Sequence, residues 1–394
     1  MRILIVSPGR LPVPACKGGA VETLIDLLLE YNERHGEHEI YVASVWNAAA
    51  EMMSHSYVHT KFMYIKQSRL ILFISDHHLI PFRTLDYFFS KKVLKILFQK
   101  NISFDCIVIQ NELVNGYVLR QKNKGHYIYH AHNDTVIENN EKDQSFLRAC
   151  DKVITVSEFL SEKLREKAKL HNTEVVYNGI DTKLFEKKSY QVSAAQKRVD
   201  YNISETEFVI AFAGRLVEEK GMQVLVEALD LIPQEYPVVL LVIGSSFFGE
   251  NKETIYIRKL KEACDRSRHR IIFTGYVKHT EMPAYYAMAD IGCVPSLWDE
   301  PFGLTVAEQM SMELPVITTD SGAIPEIMDS SCGYIFSRDN ELSKRIASAV
   351  IELRQDAYMR RKMGKKARRI IEERFSCDVF CENWFKSVQI GDQE

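Results

Sequence analysis

Short Val/Ile-rich runs that alternate with amphipathic stretches predict an α/β chain of two Rossmann-like domains facing each other across a cleft. Two observations add to the alternation. At 394 residues the chain is longer than one ordinary domain. Around residues 186–205 the pattern lapses into a polar stretch before a second alternating series begins. The composition, 46% hydrophobic and 26% charged, is that of a globular protein and excludes a fibrous or disordered chain.

The first apolar run, residues 3–6, reads as a strand and leads into a Pro/Gly-rich loop. Val21, Leu24, Ile25, Leu28 and Leu29 then recur at helical spacing. Runs at 40–43, 106–109, 127–129 and 153–156 read as further strands. Past the polar stretch, 208–213 is a strand, 222–231 a helix and 238–243 a strand, with strands again at 271–273, 291–294 and 316–318. This gives a first domain over 1–190, a second over 191–372 and a C-terminal helix over 373–394. Open parallel sheets bind ligands outside the carboxyl ends of their strands, so the chemistry is sought there.

Fifty Lys plus Arg against 53 Asp plus Glu leave a formal charge of −3, which argues against a nucleic-acid coat. Eight cysteines without a CxxC pair read as small reduced core residues. The opening apolar run is too short for a signal-peptide core, and no run suits a membrane span; a cytoplasmic protein is expected. Residues 61–100 carry eight Lys/Arg against two acids, with aromatic and aliphatic residues interleaved. Such a surface can lie on anionic lipid, or it can be a helix that buries its apolar face and solvates its lysines. The basic stretch 360–374 reads as a solvated helix face.

The most specific signal is DEPFGLTVAEQM after VPSLW. Glu300 lies in a loop beyond a strand, and Glu308 about one turn into the helix that PFGL opens. Free N–H groups at that helix start, with Gly303 allowing close approach, make an anion or hydroxyl site, and the two carboxylates can accept from a polyol's vicinal hydroxyls. FVIAFAGRLVEEKG places Arg215 just after a strand and Lys220 at the next helix, a fork and a point charge suited to a diphosphate. The plain alternatives are solvated carboxylates and an exposed basic turn neutralised by Glu218 and Glu219. KGGAVETL sets Gly18 and Gly19 in the phosphate-cradle position between first strand and first helix, without meeting GxGxxG. His130 and His132 in YHAHND follow a strand; no carboxylate or cysteine cluster at diagnostic spacing joins them, which favours a polar contact over a metal site. Ser157 lacks a GxSxG elbow, which argues against a hydrolase nucleophile.

Taken in order, GGAVE, HAHN, ITVSEFL, VVYNGIDTKLF, AFAGRLVEEKG, FTGYV, EPFGLTVAEQM and SGAIPEIM resemble the family-4 retaining glycosyltransferases of the GT-B fold, over about residues 1–385. LVIGSSFFGEN is similar to spore-coat and cell-envelope members. The resemblance implies that Arg215 and Lys220 hold the donor diphosphate and that Glu300 contacts the sugar hydroxyls, with backbone from Phe302, Gly303 and Leu304 nearby. It implies that Glu308 holds the ribose hydroxyls and that Gly275, Tyr276 and Val277 meet the base. Gly18 and Gly19 would face the phosphates and His132 the transferring sugar. Retention without metal or other cofactor is implied, with a C-terminal helix returning to the first domain. So is a nucleotide-sugar donor, UDP-linked or, as the alternative, GDP-mannose. The expected acceptor is a glycan or lipid-linked glycan in bacterial surface polysaccharide synthesis, with peripheral membrane contact through 61–100 and no nucleic-acid partner. A nucleotide-sugar epimerase and a catalytically silent scaffold are the rival readings.

Overall fold

The computed structural model describes residues 1–67, 81–121, 125–134, 140–244 and 254–389. The chain divides into two compact units, Met1–Gly179 with Asp378–Glu394, and Ile180–Cys377.

In the first unit, β1 (Arg2–Val6), β2 (Glu39–Val45), β3 (Thr60–Ile65), β4 (Cys106–Gln110), β5 (His126–Ala131), β6 (Lys152–Thr155) and β7 (Thr173–Val175) pair in parallel, in the order β3-β2-β1-β4-β5-β6-β7. The order reverses between β1 and β4. Such a switch leaves a crevice at the carboxyl ends of the two strands, which is where open sheets place ligands. Helix Ala20–His35 packs Leu24, Ile25, Leu28 and Leu29 on the strand face that carries Ile3, Ile5, Cys106 and Val108. The same core includes Phe380, Trp384 and Phe385 of helix Cys377–Ser387, so the last described helix is a structural part of the first unit.

The second unit repeats the plan. Strands β8 (Phe208–Ala213), β9 (Val238–Ile243), β10 (Arg270–Gly275), β11 (Ile291–Val294), β12 (Val316–Thr319) and β13 (Gly333–Phe336) pair in parallel, in the order β10-β9-β8-β11-β12-β13. Its switch lies between β8 and β11, the strands that run into the Arg215 and Glu300 loops. Strands β8 and β9 are buried on both faces, as expected of runs that do not alternate.

The expected boundary at 190/191 falls inside the second unit, as do residues 373–377 of the expected C-terminal segment. The N–H of Ile180 donates to Phe375 O and the N–H of Cys377 to Ile180 O, both at 2.8 Å, so the two passages of chain between the units are bonded side by side. The polar stretch near 190 is helix Gln191–Asp200, tied down by Arg198, whose guanidinium donates to the Met288 carbonyl at 2.8 and 3.0 Å. Ala194 alone is buried in that helix, so it carries little hydrophobic signal. In helix Ala357–Arg374, the Arg368 guanidinium is likewise bound rather than solvated, donating to Ser311 O and Thr182 O at 2.9 Å each. Ser157 accepts from the Leu160 N–H at 3.1 Å and caps helix Glu158–Ala168. No described helix is long and apolar enough to cross a membrane. Residues 68–80 of the basic segment and 245–251 of LVIGSSFFGEN lie outside the described residues.

Candidate functional site

In the second unit the loops after β8 and β11 interlock. The Leu297 N–H donates to Glu219 O at 2.8 Å, and a Cβ on Gly221 would stand 1.9 Å from the Pro295 carbonyl oxygen, so only glycine lets the two loops meet. Lys220 closes the short 3-10 turn Glu218–Lys220 ahead of helix Met222–Asp230, one turn earlier than the sequence reading placed it. Its ammonium donates to Glu300 Oε1 at 2.6 Å and lies 5.2 Å from the centre of the Trp298 ring. Ser296 Oγ donates to the same oxygen at 2.5 Å, while Glu300 Oε2 has no partner among the described residues. The Glu300 carbonyl accepts from the Ala323 N–H at 2.9 Å, so the SGAIPE loop fixes the backbone that carries this carboxylate. Arg215 is exposed, and its guanidinium has no partner among the described residues.

Helix Leu304–Ser311 starts at Gly303, which has φ 101° and caps it without a side-chain bond. A Cβ there would lie 2.6 Å from Ile324 Cδ1. The first N–H groups and the positive end of the helix dipole are therefore open to a ligand beside Glu300. Phe302 is buried, its ring edge-on to Phe375 at 5.8 Å, so it offers backbone only; Leu304 is half-buried. Glu308, buried on the same helix, accepts from His279 Nε2 at 3.0 Å and from the Tyr286 hydroxyl at 2.9 Å. Burial opposes charge on His279, but its hydrogen bond to Glu308 and the charges of Glu308 and Asp181 outweigh that and hold the imidazole above its usual range. At the end of β10, Gly275 accepts from the Gly244 N–H at 3.1 Å, Tyr276 is exposed and Val277 half-buried.

In the first unit, Gly18 and Gly19 have φ 75° and 106° and lead into helix Ala20–His35, which again lacks a side-chain cap. The Glu22 carboxyl sits under this turn, and burial raises its pKa to about 7 against the opposing pull of its own backbone N–H and of Arg10. His132 Nε2 is 2.8 Å from Gln110 Oε1, and its backbone N–H donates to Asn111 Oδ1 at 3.0 Å. Burial lowers the His132 pKa to about 3 and that of His130 well below the usual value, so both rings are neutral near pH 7. Their centroids are 4.2 Å apart, and the Trp384 indole N–H donates to His130 Nδ1 at 3.3 Å. Arg10 bridges Glu112, at 3.1 Å, and Asp86, at 3.5 Å. Burial, with Asp86 beside it, raises the Glu112 pKa to about 7.

The structure thus brings Arg215, Lys220, Glu300, Gly303 and Glu308 together at the carboxyl ends of one sheet, and Gly18, Gly19 and His132 at the carboxyl ends of the other. Sequence reasoning missed Ser296, His279, Tyr286, Glu112 and Asp86. Ser296 stood in the quoted VPSLW, His279 just past FTGYV, and Glu112 directly after a strand; Asp86, mid-helix, carried no such signal.

Two family models match the chain. One described as Glycosyl transferases group 1 covers residues 193–370, and one described as Glycosyltransferase Family 4 covers 17–184. Spore coat protein SA of Bacillus subtilis is 24% identical over 97% of this chain and 98% of its own length. The GDP-mannose-dependent alpha-(1-6)-phosphatidylinositol monomannoside mannosyltransferase of Mycobacterium tuberculosis is 31% identical over 51% of each chain. The crystal structure of Anabaena HepE in complex with UDP-glucose superposes with a TM-score of 0.75 at 20% identity, over 98% of this chain and 99% of that one.

Proposed function

The chain belongs to the family-4 glycosyltransferases of the GT-B fold, and on that premise we propose that it moves a hexose or N-acetylhexosamine from a UDP-sugar to a glycan or lipid-linked acceptor, with retention and without a metal. The observation that carries the reading is the cluster at the β8/β11 switch: an exposed Arg215, Lys220 on Glu300, and a helix start at Gly303 without a side-chain cap. Breaking a sugar–diphosphate bond develops negative charge on the leaving phosphate. Lys220, held on Glu300, the exposed Arg215 guanidinium and a helix N-terminus are suited to stabilise that charge, and one preorganised donor is worth roughly 2.7–4 kcal/mol. The open Oε2 of Glu300 is placed to accept from a sugar hydroxyl, and the Gly275–Val277 turn to receive the base. In the first unit, the Gly18–Gly19 turn is proposed to face the phosphates, and a neutral His132 the transferring sugar. A UDP donor is supported by the fold shared with a UDP-glucose complex; GDP-mannose is the alternative, supported by the mycobacterial relative. We place the acceptor on the first unit, with helix Phe82–Lys100 as the face toward lipid.

The test is thermal shift against UDP, GDP, ADP and their sugar conjugates, with and without EDTA. A nucleotide at about 100 times its Kd stabilises by roughly 2.7 kcal/mol. A raised midpoint with UDP and one UDP-sugar, indifferent to EDTA, is expected, along with turnover at least about 100-fold lower in Arg215→Ala and Lys220→Ala. No response to any nucleotide brings forward the silent scaffold. Consumption of nucleotide sugar without an acceptor or diphosphate release identifies an epimerase.

A further inference from the structure

A carboxylate one turn into a helix ordinarily turns about its side-chain torsions and presents no fixed pair of acceptors. Glu308 is different: each oxygen is held by a separate donor, His279 Nε2 at 3.0 Å from Oε1 and the Tyr286 hydroxyl at 2.9 Å from Oε2. The donors come from the turn His279–Glu281 and from helix Met282–Tyr286, elements distant in sequence from helix Leu304–Ser311. Both are themselves fixed. Tyr286 is fully buried, and the His279 ring packs against Phe185 with centroids 5.2 Å apart. A carboxylate offers about four acceptor positions, two on each oxygen. Two are occupied from the protein side, one on each oxygen, which leaves each oxygen able to accept once more. That pair of acceptors matches two hydroxyls held together on adjacent carbons. A single hydroxyl would need only one of them, and two braces would be superfluous.

We infer that His279 and Tyr286 are positioning residues that hold Glu308 as a fork for a cis-vicinal diol, so that the site selects a ribonucleotide over its 2′-deoxy counterpart. The inference rests on the nucleotide-sugar reading above and on the ribose contact that the family resemblance implies for Glu308; what it adds is the two residues that hold that contact in place.

The experiment is calorimetric titration of the full chain with UDP and 2′-deoxy-UDP, and with GDP and 2′-deoxy-GDP, for the wild type, Tyr286→Phe, His279→Ala and His279→Gln. The wild type is expected to prefer the ribonucleotide at least about tenfold, the scale of one hydrogen bond to a charged group. Tyr286→Phe and His279→Ala should each reduce that ratio to less than about threefold while binding the deoxynucleotide as the wild type does. His279→Gln restores a neutral donor and should recover much of the ratio. A purely structural role would weaken both nucleotides alike and leave the ratio intact, and that result overturns the inference. If Tyr286→Phe does not fold, the half-exposed His279 pair still decides the matter. Binding of neither UDP nor GDP by the wild type would overturn the nucleotide reading itself, whereas binding with an unchanged ratio in the variants overturns only the inference.

Discussion

Single side chains in this molecule are set against their solution chemistry by burial. Glu22 is the clearest case, a carboxyl raised from 4.5 to about 7 by desolvation beneath the Gly18–Gly19 turn. Folding therefore favours its protonated form. The stability that this preference contributes is fully present below the unfolded pKa near 4.5 and is lost as pH rises through about 7. Above that, the folded protein carries a buried charge. Glu22→Gln removes the charge and keeps the shape, so the variant should melt with the wild type at pH 4.5 and at a higher temperature at pH 8. At about 1.4 kcal/mol per pKa unit, the difference should reach a few kcal/mol. Equal melting temperatures at both pH values would contradict the buried-charge account. His132 shows the opposite sign, a base kept neutral by burial, which fits a hydrogen-bonding role better than a proton-donating one.

Elements were more legible in the sequence than their ends. Apolar runs located the central strands because strands buried on both faces do not alternate, but missed the partly exposed β3, β7 and β13; the EPFGLTVAEQM helix was marked by Gly303, whose φ of 101° few other residues adopt. The Lys220–Glu300 bond was not legible, since it joins residues 80 positions apart and depends on two loops meeting at Gly221. Nor was the His279–Glu308–Tyr286 arrangement, because a histidine in a polar turn looks like any exposed histidine until the fold sets a buried carboxylate beside it. Helix Phe82–Lys100 shows which part of a charge pattern survives folding. Phe89, Val93, Leu94 and Leu97 are buried, yet Tyr87, Phe88 and Phe98 stay exposed on the same half of the helix as Lys91, Lys92 and Lys95. Aromatic residues among lysines suit an anionic lipid surface. The protein should therefore sediment with anionic vesicles at low salt and be released as salt rises, and a Phe88→Ser, Phe98→Ser double variant should bind several-fold less. Failure of the wild type to sediment would remove the lipid contact from the proposal.

At the scale of the whole molecule, the two sheets share one strand order up to the added β7; Gly18 and Gly19 follow β1 and Arg215, Lys220 and Glu300 follow β8 and β11 at the two topological switches, whereas His132 follows β5 and Gly275–Val277 follow the edge strand β10. The discontinuity of the first unit was legible only through the family resemblance, which implies a C-terminal helix returning to the first domain; the residues alone do not show it, because a C-terminal amphipathic helix looks the same whichever domain it covers. Removing residues 378–394 should leave a first unit that lacks Trp384 and Phe380 from its core. Loss of such large buried aromatics costs about 3–5 kcal/mol each. The truncated protein should aggregate, or melt well below the full chain; unchanged melting would mean that the helix is dispensable. The same discontinuity orders events during synthesis. A ribosome finishes all seven strands of the first sheet long before it makes Trp384, and the whole second unit emerges in between. Until then the nascent chain carries a first sheet with one face incompletely covered, next to a second unit whose residues are contiguous in sequence and free to fold first. In this protein the half made first is the half completed last, and it is there that a chaperone would be needed.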